Sequence, residues 1–140
     1  MFDLYNTQRL VEWRNIRNKL EDDPNPLERV ASVWSKAPFV NPFLNPKDPS
    51  SWPDPWQLVL GDKLDELAIA LGILYTIKLT DRFIDTPCEI HMSMPTKNLE
   101  SGYFVLVDKQ YVLNYEPRKV VPIEAVNRET EIIWEVMRLQ

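Results

Sequence analysis

Apolar residues near the start of the chain recur with the spacing of an amphipathic helix. Leu10, Trp13 and Leu20 are separated by three and seven residues, and charged residues occupy positions between them. This spacing places the apolar side chains on one face and predicts a helix over residues 7–21. We expect the helix to stop before Pro24, because the residue that precedes a proline disfavours the helical conformation.

A second, shorter helix is predicted over residues 26–36, since proline is well tolerated in the first turn of a helix. Asn6 or Thr7 is expected to cap the first helix by accepting a hydrogen bond from one of its free N–H groups. Together the two helices predict a helical arm at the N-terminus, residues 1–37.

Prolines interrupt this pattern over residues 38–56. Six of the twelve prolines in the chain fall within residues 38–55, and proline lacks the N–H donor that helices and central strands require. The aromatic side chains between these prolines carry more apolar surface than a flexible linker would, at roughly 150–250 Å² each. We therefore expect an ordered, extended segment that packs either on its own domain or on a partner.

The longest apolar stretch predicts a central, buried helix. Residues 63–79 are apolar around most of the helical circumference, as expected of a helix that is covered on nearly all sides. Asp62 is expected to be its N-cap. Trp52 and Trp56 precede this helix, and they either close its open end or anchor another subunit.

After the central helix, the period of the apolar pattern changes from that of a helix to that of a strand. The predicted strands cover residues 88–94, 102–107, 110–115 and 119–123. The second and third of them are expected to form a hairpin around Asp108 and Lys109. Residues 126–139 fit both a helix and an edge strand, so the sequence leaves these two alternatives open.

Helices followed by antiparallel strands define an α+β fold. We expect an N-terminal helical hairpin, then the proline- and tryptophan-rich segment, and then an α+β core over residues 57–140. In that core the central buried helix packs on a small antiparallel sheet. With 140 residues and 44% hydrophobic content, the chain is expected to form one domain overall.

Composition and charge exclude several classes of protein. Three glycines are too few for a glycine-rich phosphate loop, and one cysteine with one histidine cannot form a zinc cluster or a disulfide. A net charge of −5 without a lysine-rich block disfavours nucleic-acid binding. No apolar run approaches the ~20 residues of a membrane helix. We therefore expect no cofactor, no metal, no nucleic acid and no membrane among the partners.

Cys88 and His91 are the residues from which a nucleophile and a base could be drawn. They lie three positions apart on one predicted strand, which puts their side chains on opposite faces of the sheet. An apolar environment around Cys88 would also keep its thiol protonated and inert. Lys63 is expected to be a solvated lysine or a partner contact, because it could act as a nucleophile only with a strongly lowered pKa.

Two segments resemble parts of the transglutaminase-like, papain-related fold. Residues 56–72, WQLVLGDKLDELAIALG, resemble its Gly-Asp-Cys-x-Asp motif and the helix that follows, whose N-terminus stabilises the thiolate of the catalytic cysteine. Residues 102–117, GYFVLVDKQYVLNYEP, resemble the two strands that carry the histidine and the aspartate of the family. The resemblance covers residues 53–118 and implies a transglutaminase-like core.

The catalytic residues that this resemblance implies are replaced in the chain. Lys63 stands where the family has cysteine, and Asn114 stands where it has aspartate. Gly102 or Tyr103 occupies the position of the histidine. The retained positions, which shape and cap the helix, are Gly61, Asp62, Asp65 and Ala68. We therefore expect a catalytically degenerate domain without catalytic residues, not an enzyme.

A second resemblance concerns the block VWSKAPFVNPFLNP, residues 33–46, and the sequence WPDPWQL, residues 52–58. These stretches are similar to proteins encoded by large tailed bacteriophages, in which the transglutaminase-like core also lacks its catalytic residues. The resemblance implies a structural protein of the virus particle, in the neck, tail or baseplate, that is made in the host cytoplasm. Its partners would be other virion proteins in a symmetric assembly.

Large aromatic side chains are the candidates for an interface, because such residues anchor many protein–protein contacts. The candidates are Trp13, Trp34, Phe39, Phe43, Trp52 and Trp56. Two other functions remain open. One is a cysteine-peptidase or transglutaminase-like enzyme with relocated catalytic residues. The other is a soluble phage regulator that binds a host protein through sheet tyrosines, namely Tyr103, Tyr111 and Tyr115.

Overall fold

The computed structural model describes residues 1–40, 42–62, 64–97 and 101–139. Helices come first and strands follow, which confirms the expected α+β fold. The helices are α1 (Asn6–Leu20), α2 (Pro26–Trp34), α3 (Pro55–Val59) and α4 (Glu66–Lys78), with short 3₁₀ helices at Pro49–Ser51 and Ile123–Ala125. The strands are β1 (Cys88–Ser93), β2 (Tyr103–Val107), β3 (Tyr111–Leu113), β4 (Val120–Pro122) and β5 (Thr130–Val136).

The sheet has the strand order β4-β3-β2-β1-β5, and every neighbouring pair is antiparallel. β5 is an edge strand, which decides between the two alternatives for residues 126–139. It pairs with β1, and the register shifts at a bulge between Ile90 and His91. Ile123 and Val126, in the connection from β4 to β5, pack on the small cluster around Phe104. This connection therefore covers the face of the sheet opposite α4.

The predicted hairpin between β2 and β3 is confirmed. Asp108 and Lys109 have φ angles of 55° and 60°, so both turn residues are left-handed. The Gln110 N–H donates to the Val107 carbonyl at 3.1 Å and closes the turn, and three residues separate the paired residues Val107 and Tyr111.

α4 is the central helix of the molecule, as its apolar circumference predicts. All its residues from Leu67 to Lys78 are buried, and the helix contacts β1, β2, α2 and α3. Trp13 of α1 and Trp34 of α2 are 0% and 1% exposed and belong to the same hydrophobic core. The helical arm over residues 1–37 therefore shares its core with α4 and does not stand apart from it.

The expected cap of the central helix is wrong. α4 begins at Glu66, and its N-cap is Asp65, not Asp62. The reason is that Leu64 forms a bridge to the proline-rich segment, in which its N–H donates to the carbonyl of Pro38 at 3.0 Å. This bridge keeps the backbone extended at residue 64 and delays the start of the helix.

The expected cap of α1 is also wrong. The helix starts at Asn6 behind Tyr5, and no side chain caps it. Asn6 itself has a φ of 51°, in the left-handed region, so it turns the chain into the helix instead of preceding it in an extended conformation. The Arg9 guanidinium donates to the Leu4 carbonyl at 2.8 Å. This bond fixes the residues that precede α1 through their main chain.

The proline-rich segment is ordered and packs on its own domain. The indole N–H of Trp52 donates to the Asn45 carbonyl at 2.7 Å, and the Tyr75 hydroxyl donates to the Pro53 carbonyl at 2.9 Å. The segment is not extended throughout, because it contains a 3₁₀ helix and the start of α3, where the Asp54 side chain caps the first turn.

Candidate functional site

Gly102, Tyr103 and Asn114, the described positions at which the resemblance implies catalytic residues, lie together near the N-terminus of α4. The Asn114 side-chain amide donates to the Tyr103 carbonyl at 2.8 Å. The Glu66 carboxylate accepts a hydrogen bond from the main chain of Tyr103, and a methyl group on Gly102 would lie 3.4 Å from a Glu66 carboxylate oxygen. Lys63 lies outside the described residues.

A cleft of about 340 Å³ opens beside this group. Phe39, Glu66 and Asn114 line it, together with Trp34 and Arg118. Burial raises the pKa of the Glu66 carboxyl, while the hydrogen bond from the Tyr103 main chain opposes the shift. The cleft therefore presents one partly desolvated carboxyl group to solvent.

Asn114, at the position where the resemblance implies an aspartate, has a structural task. Its φ of 69° is left-handed, a conformation that asparagine tolerates better than most residues. Its amide donates to a main-chain carbonyl of the neighbouring strand. Among the described residues, the single histidine lies on β1, bound to Glu89 and Thr130.

Asp65 links the N-terminus of α4 to the proline-rich segment. The residue is 1% exposed, and one carboxylate oxygen accepts the Ala68 N–H at 2.8 Å as an N-cap. The other oxygen accepts the main-chain N–H groups of Phe43 and Leu44, both at 2.8 Å. A single carboxylate thus satisfies a helix end and fixes the segment that passes over it.

Replacing Asp65 with alanine is expected to lower the free energy of unfolding by about 3 kcal/mol or more. The variant loses the helix cap and leaves one buried and two partly buried N–H groups without an acceptor. An unsatisfied buried N–H costs about 1–3 kcal/mol. Urea denaturation followed by circular dichroism measures the loss. The matched control is Asp62→Ala, whose side chain is 79% exposed and which should change stability by less than about 0.5 kcal/mol. Equal losses for the two variants would contradict the assignment of Asp65 as the cap.

Cys88 and His91 lie on opposite faces of the sheet, as predicted. Cys88 is 0% exposed and belongs to the core that includes α4. Burial raises the pKa of its thiol to about 12. The His91 ring stacks on Phe104, with the ring centroids 4.9 Å apart, in the cluster on the other face. The two side chains cannot form a catalytic pair in this arrangement.

The Cys88 thiol is expected to react with a thiol-specific reagent only after the chain unfolds. A pKa of about 12 instead of 9.0 leaves roughly a thousand-fold less thiolate at the same pH, and the closed core keeps the reagent away. Labelling in buffer, followed by mass spectrometry, should be at least that much slower than labelling of the same chain in urea. Rapid labelling of the folded chain would instead support a relocated nucleophile.

A hydrogen-bonded chain of three side chains on β1 and β5 was not anticipated from the sequence. His91 Nε2 lies 3.2 Å from a Glu89 carboxylate oxygen, and His91 Nδ1 lies 3.1 Å from the Thr130 hydroxyl. Lys109 donates to the other Glu89 oxygen at 2.9 Å. The alternation of β1 already placed Glu89 and His91 on one face, but Thr130 could not be found while residues 126–139 were ambiguous.

This chain of carboxylate, imidazole and hydroxyl has the order of groups found in hydrolases. His91 is only 8% exposed and Glu89 only 4%. The imidazole is held between Phe104 and its two hydrogen-bond partners, so a substrate has no approach to it. The contacts instead join β5 to β1 next to the bulge, on the face of the sheet that the connection from β4 to β5 covers.

The six aromatic candidates for an interface divide into two groups. Trp13, Trp34 and Trp52 are at most 9% exposed and belong to the hydrophobic core, so they have little surface to offer a partner. Phe39, Phe43 and Trp56 are 64%, 59% and 49% exposed and remain available to a partner.

The three sheet tyrosines do not form one binding face. Tyr103 packs against the core on the α4 side, while Tyr115 packs on the opposite face, 5.9 Å from the Phe104 ring. Tyr111 is 44% exposed near the turn of the hairpin. A regulator that stacks a ligand on all three rings is therefore not supported by their placement.

No model of a known protein family, no curated protein and no solved structure matches this chain. Among the described residues, no group of histidine, cysteine, aspartate or glutamate side chains is arranged to hold a metal ion. None of the described helices has the length and apolarity needed to cross a bilayer.

Proposed function

We propose that this chain is a non-catalytic structural component of a tailed-phage particle, in the neck, tail or baseplate, with a degenerate transglutaminase-like core. It contacts neighbouring virion proteins through the phenylalanine pair, which we define as Phe39 and Phe43. The resemblance of residues 33–46 to phage proteins supports the setting. The exposure of this pair on a fixed segment carries the argument for a contact surface.

The phenylalanine pair is exposed although the main chain beneath it is held at several points. Asp65 binds the N–H groups of Phe43 and Leu44, and Val40 N–H donates to the Leu64 carbonyl at 3.1 Å. Exposed aromatic rings on a pre-ordered backbone bind a partner at a low cost in conformational entropy. Large aromatic side chains of this kind commonly anchor protein–protein contacts.

The non-catalytic part of the proposal is supported by what the described residues of the degenerate site do. Asn114 binds a main-chain carbonyl, and Cys88 is buried with a raised pKa. Acyl transfer requires an accessible nucleophile with a base within its reach. Among the described residues, Cys88 and His91 are both buried, and they hold the fold instead.

Incorporation into particles tests the proposal. Cells that produce the phage would express a tagged chain, either unchanged or with Phe39→Ser and Phe43→Ser. We expect the unchanged chain to sediment with purified particles and the double variant to be depleted about 30-fold, the loss typical of removing central aromatic anchors. Tyr111→Ser is the matched control, because it removes an exposed aromatic ring elsewhere. Equal incorporation of the double variant and the control would contradict the proposal.

A further inference from the structure

A second apolar surface lies near the C-terminal end of α4. It is a cleft of about 880 Å³ between α3, α4 and β5. We call it the tryptophan cleft. Its main apolar lining residues are Trp52, Trp56, Tyr75, Trp134 and Met137.

Contacts among its own walls hold the tryptophan cleft open. The Trp134 ring makes edge contacts with the rings of Trp52 and Tyr75, at centroid distances of 5.7 and 6.2 Å. The Tyr75 hydroxyl is bound to the Pro53 carbonyl, and burial raises its pKa to about 12. The Lys78 ammonium group donates to the Met137 carbonyl and fixes the end of β5. The cleft is therefore preformed.

The mouth of the tryptophan cleft is exposed. Met137 is 60% exposed and Trp56 is 49% exposed, although both side chains are large and apolar. β5 is an edge strand that pairs with β1 on one side only. An aromatic cleft beside an edge strand is typical of a site that receives an extended segment.

The chain itself carries a segment with the matching chemistry. Aromatic grooves bind proline-rich, extended segments, and the phenylalanine pair lies in such a segment, with a proline directly before each ring. Lys36 and Lys47 flank the pair and are exposed, as is Asp48 next to Lys47, so the flanking charge is basic by one. Exposed Asp54 and Glu135 stand at the rim of the cleft.

The other charge at the rim does not oppose this match. Arg138 also lines the tryptophan cleft, but its guanidinium is paired with Asp85 at 2.9 Å. The remaining rim charges, Asp54 and Glu135, are acidic, although Glu135 also attracts Lys109 of the same chain. They face a ligand segment whose flanking charges are basic on balance. Apolar and electrostatic complementarity thus point to the same occupant.

We infer that the tryptophan cleft of one copy of this chain receives the phenylalanine pair of a second copy. The inference rests on the proposed function, because it assigns a partner to the same contact surface. Asp65, the N-cap of α4, fixes the pair, and Tyr75 of α4 lines the cleft. The two residues are ten positions apart, or about 15 Å along the helix axis. The two surfaces are different, so the contact is head-to-tail and builds a ring or a filament.

Light scattering coupled to size-exclusion chromatography tests the contact on the full chain. The mass of the unchanged chain should rise with concentration from 16.5 kDa to several times that value. Phe39→Ser with Phe43→Ser should weaken association about 30-fold, and so should Glu135→Lys with Met137→Lys. Tyr111→Ser should associate like the unchanged chain. An unchanged chain that stays monomeric, or a cleft variant that associates normally, would overturn the inference.

Mixing the two variants separates this contact from any other mode of association. Each variant retains one intact surface, so an equimolar mixture should form a dimer of one copy of each and nothing larger. A mixture that stays monomeric would overturn the inference. If the phenylalanine double variant is depleted from particles but the unchanged chain is monomeric in solution, the self-contact alone is refuted. Association in solution without incorporation would refute the proposed function alone.

Discussion

Thr76→Val is expected to lower the free energy of unfolding by about 3–5 kcal/mol. The Thr76 hydroxyl accepts hydrogen bonds from the indole N–H groups of Trp13 and Trp34, both at 2.9 Å, and it donates to the Gly72 carbonyl at 2.6 Å. All three residues that supply side chains to this group are at most 1% exposed. Valine has nearly the same shape but leaves two buried donors unsatisfied, at about 1–3 kcal/mol each.

Thr76→Ser is the matched control for this prediction. Serine keeps the hydroxyl and removes one methyl group, so the expected loss is about 1 kcal/mol. Urea denaturation followed by tryptophan fluorescence measures both variants, and the fluorescence of the buried indoles reports on their hydrogen bonds. Valine and serine variants of equal stability would mean that the hydroxyl does not join α1, α2 and α4.

Gly72→Ala is also expected to lower the free energy of unfolding. A methyl group at Gly72 would lie 2.2 to 2.6 Å from three atoms of the Trp34 ring, and the Trp34 indole is held by its bond to Thr76. Overpacking of this kind costs about 1–3 kcal/mol and occasionally more. Alanine would otherwise stabilise a helix interior by about 1 kcal/mol relative to glycine, so the clash predicts a change of opposite sign.

The double variant Trp34→Leu with Gly72→Ala shows whether the clash is the cause. Removing the ring makes room for the methyl group, so the second substitution should cost less in the Trp34→Leu background than in the unchanged chain. The stability of the four proteins in this cycle can be measured by urea denaturation. A stabilising Gly72→Ala substitution in the unchanged chain would contradict the close approach of α2 to α4.

Local patterns predict much of this fold because the elements they describe are regular. α4 is apolar around its circumference and is buried along nearly its whole length. β1 alternates, and its two faces do pack against different clusters. Asp108 and Lys109 lie in the turn between β2 and β3, as the sequence predicts. In each case the pattern and the tertiary contacts favour the same structure.

The remaining features depend on contacts between distant parts of the chain. The start of α4 is set by the bridge from Leu64 to residues far earlier in the sequence, so Asp62 and Asp65 could not be ranked as caps locally. The bulge opposite Ile90 and His91 disturbs the alternation of β5, which made its sequence fit a helix equally well.

The candidate site was predictable only in part for the same reason. Trp13 and Phe39 are both large aromatic residues, yet one is 0% exposed and the other 64%. A partner such as Thr76, which satisfies the buried indole of Trp13, is visible only in the folded chain. The positions of the phenylalanine pair and the tryptophan cleft near opposite ends of α4 are likewise visible only in the folded chain.

Quantitative mass spectrometry of gradient-purified phage particles tests the central claim most directly. If the chain is a structural component, it should be present in the particles at a fixed copy number, and a multiple of three or six would fit a symmetric neck or baseplate. A chain that is abundant in the infected cell but absent from the particles would contradict the claim, and it would favour a soluble protein that acts on the host.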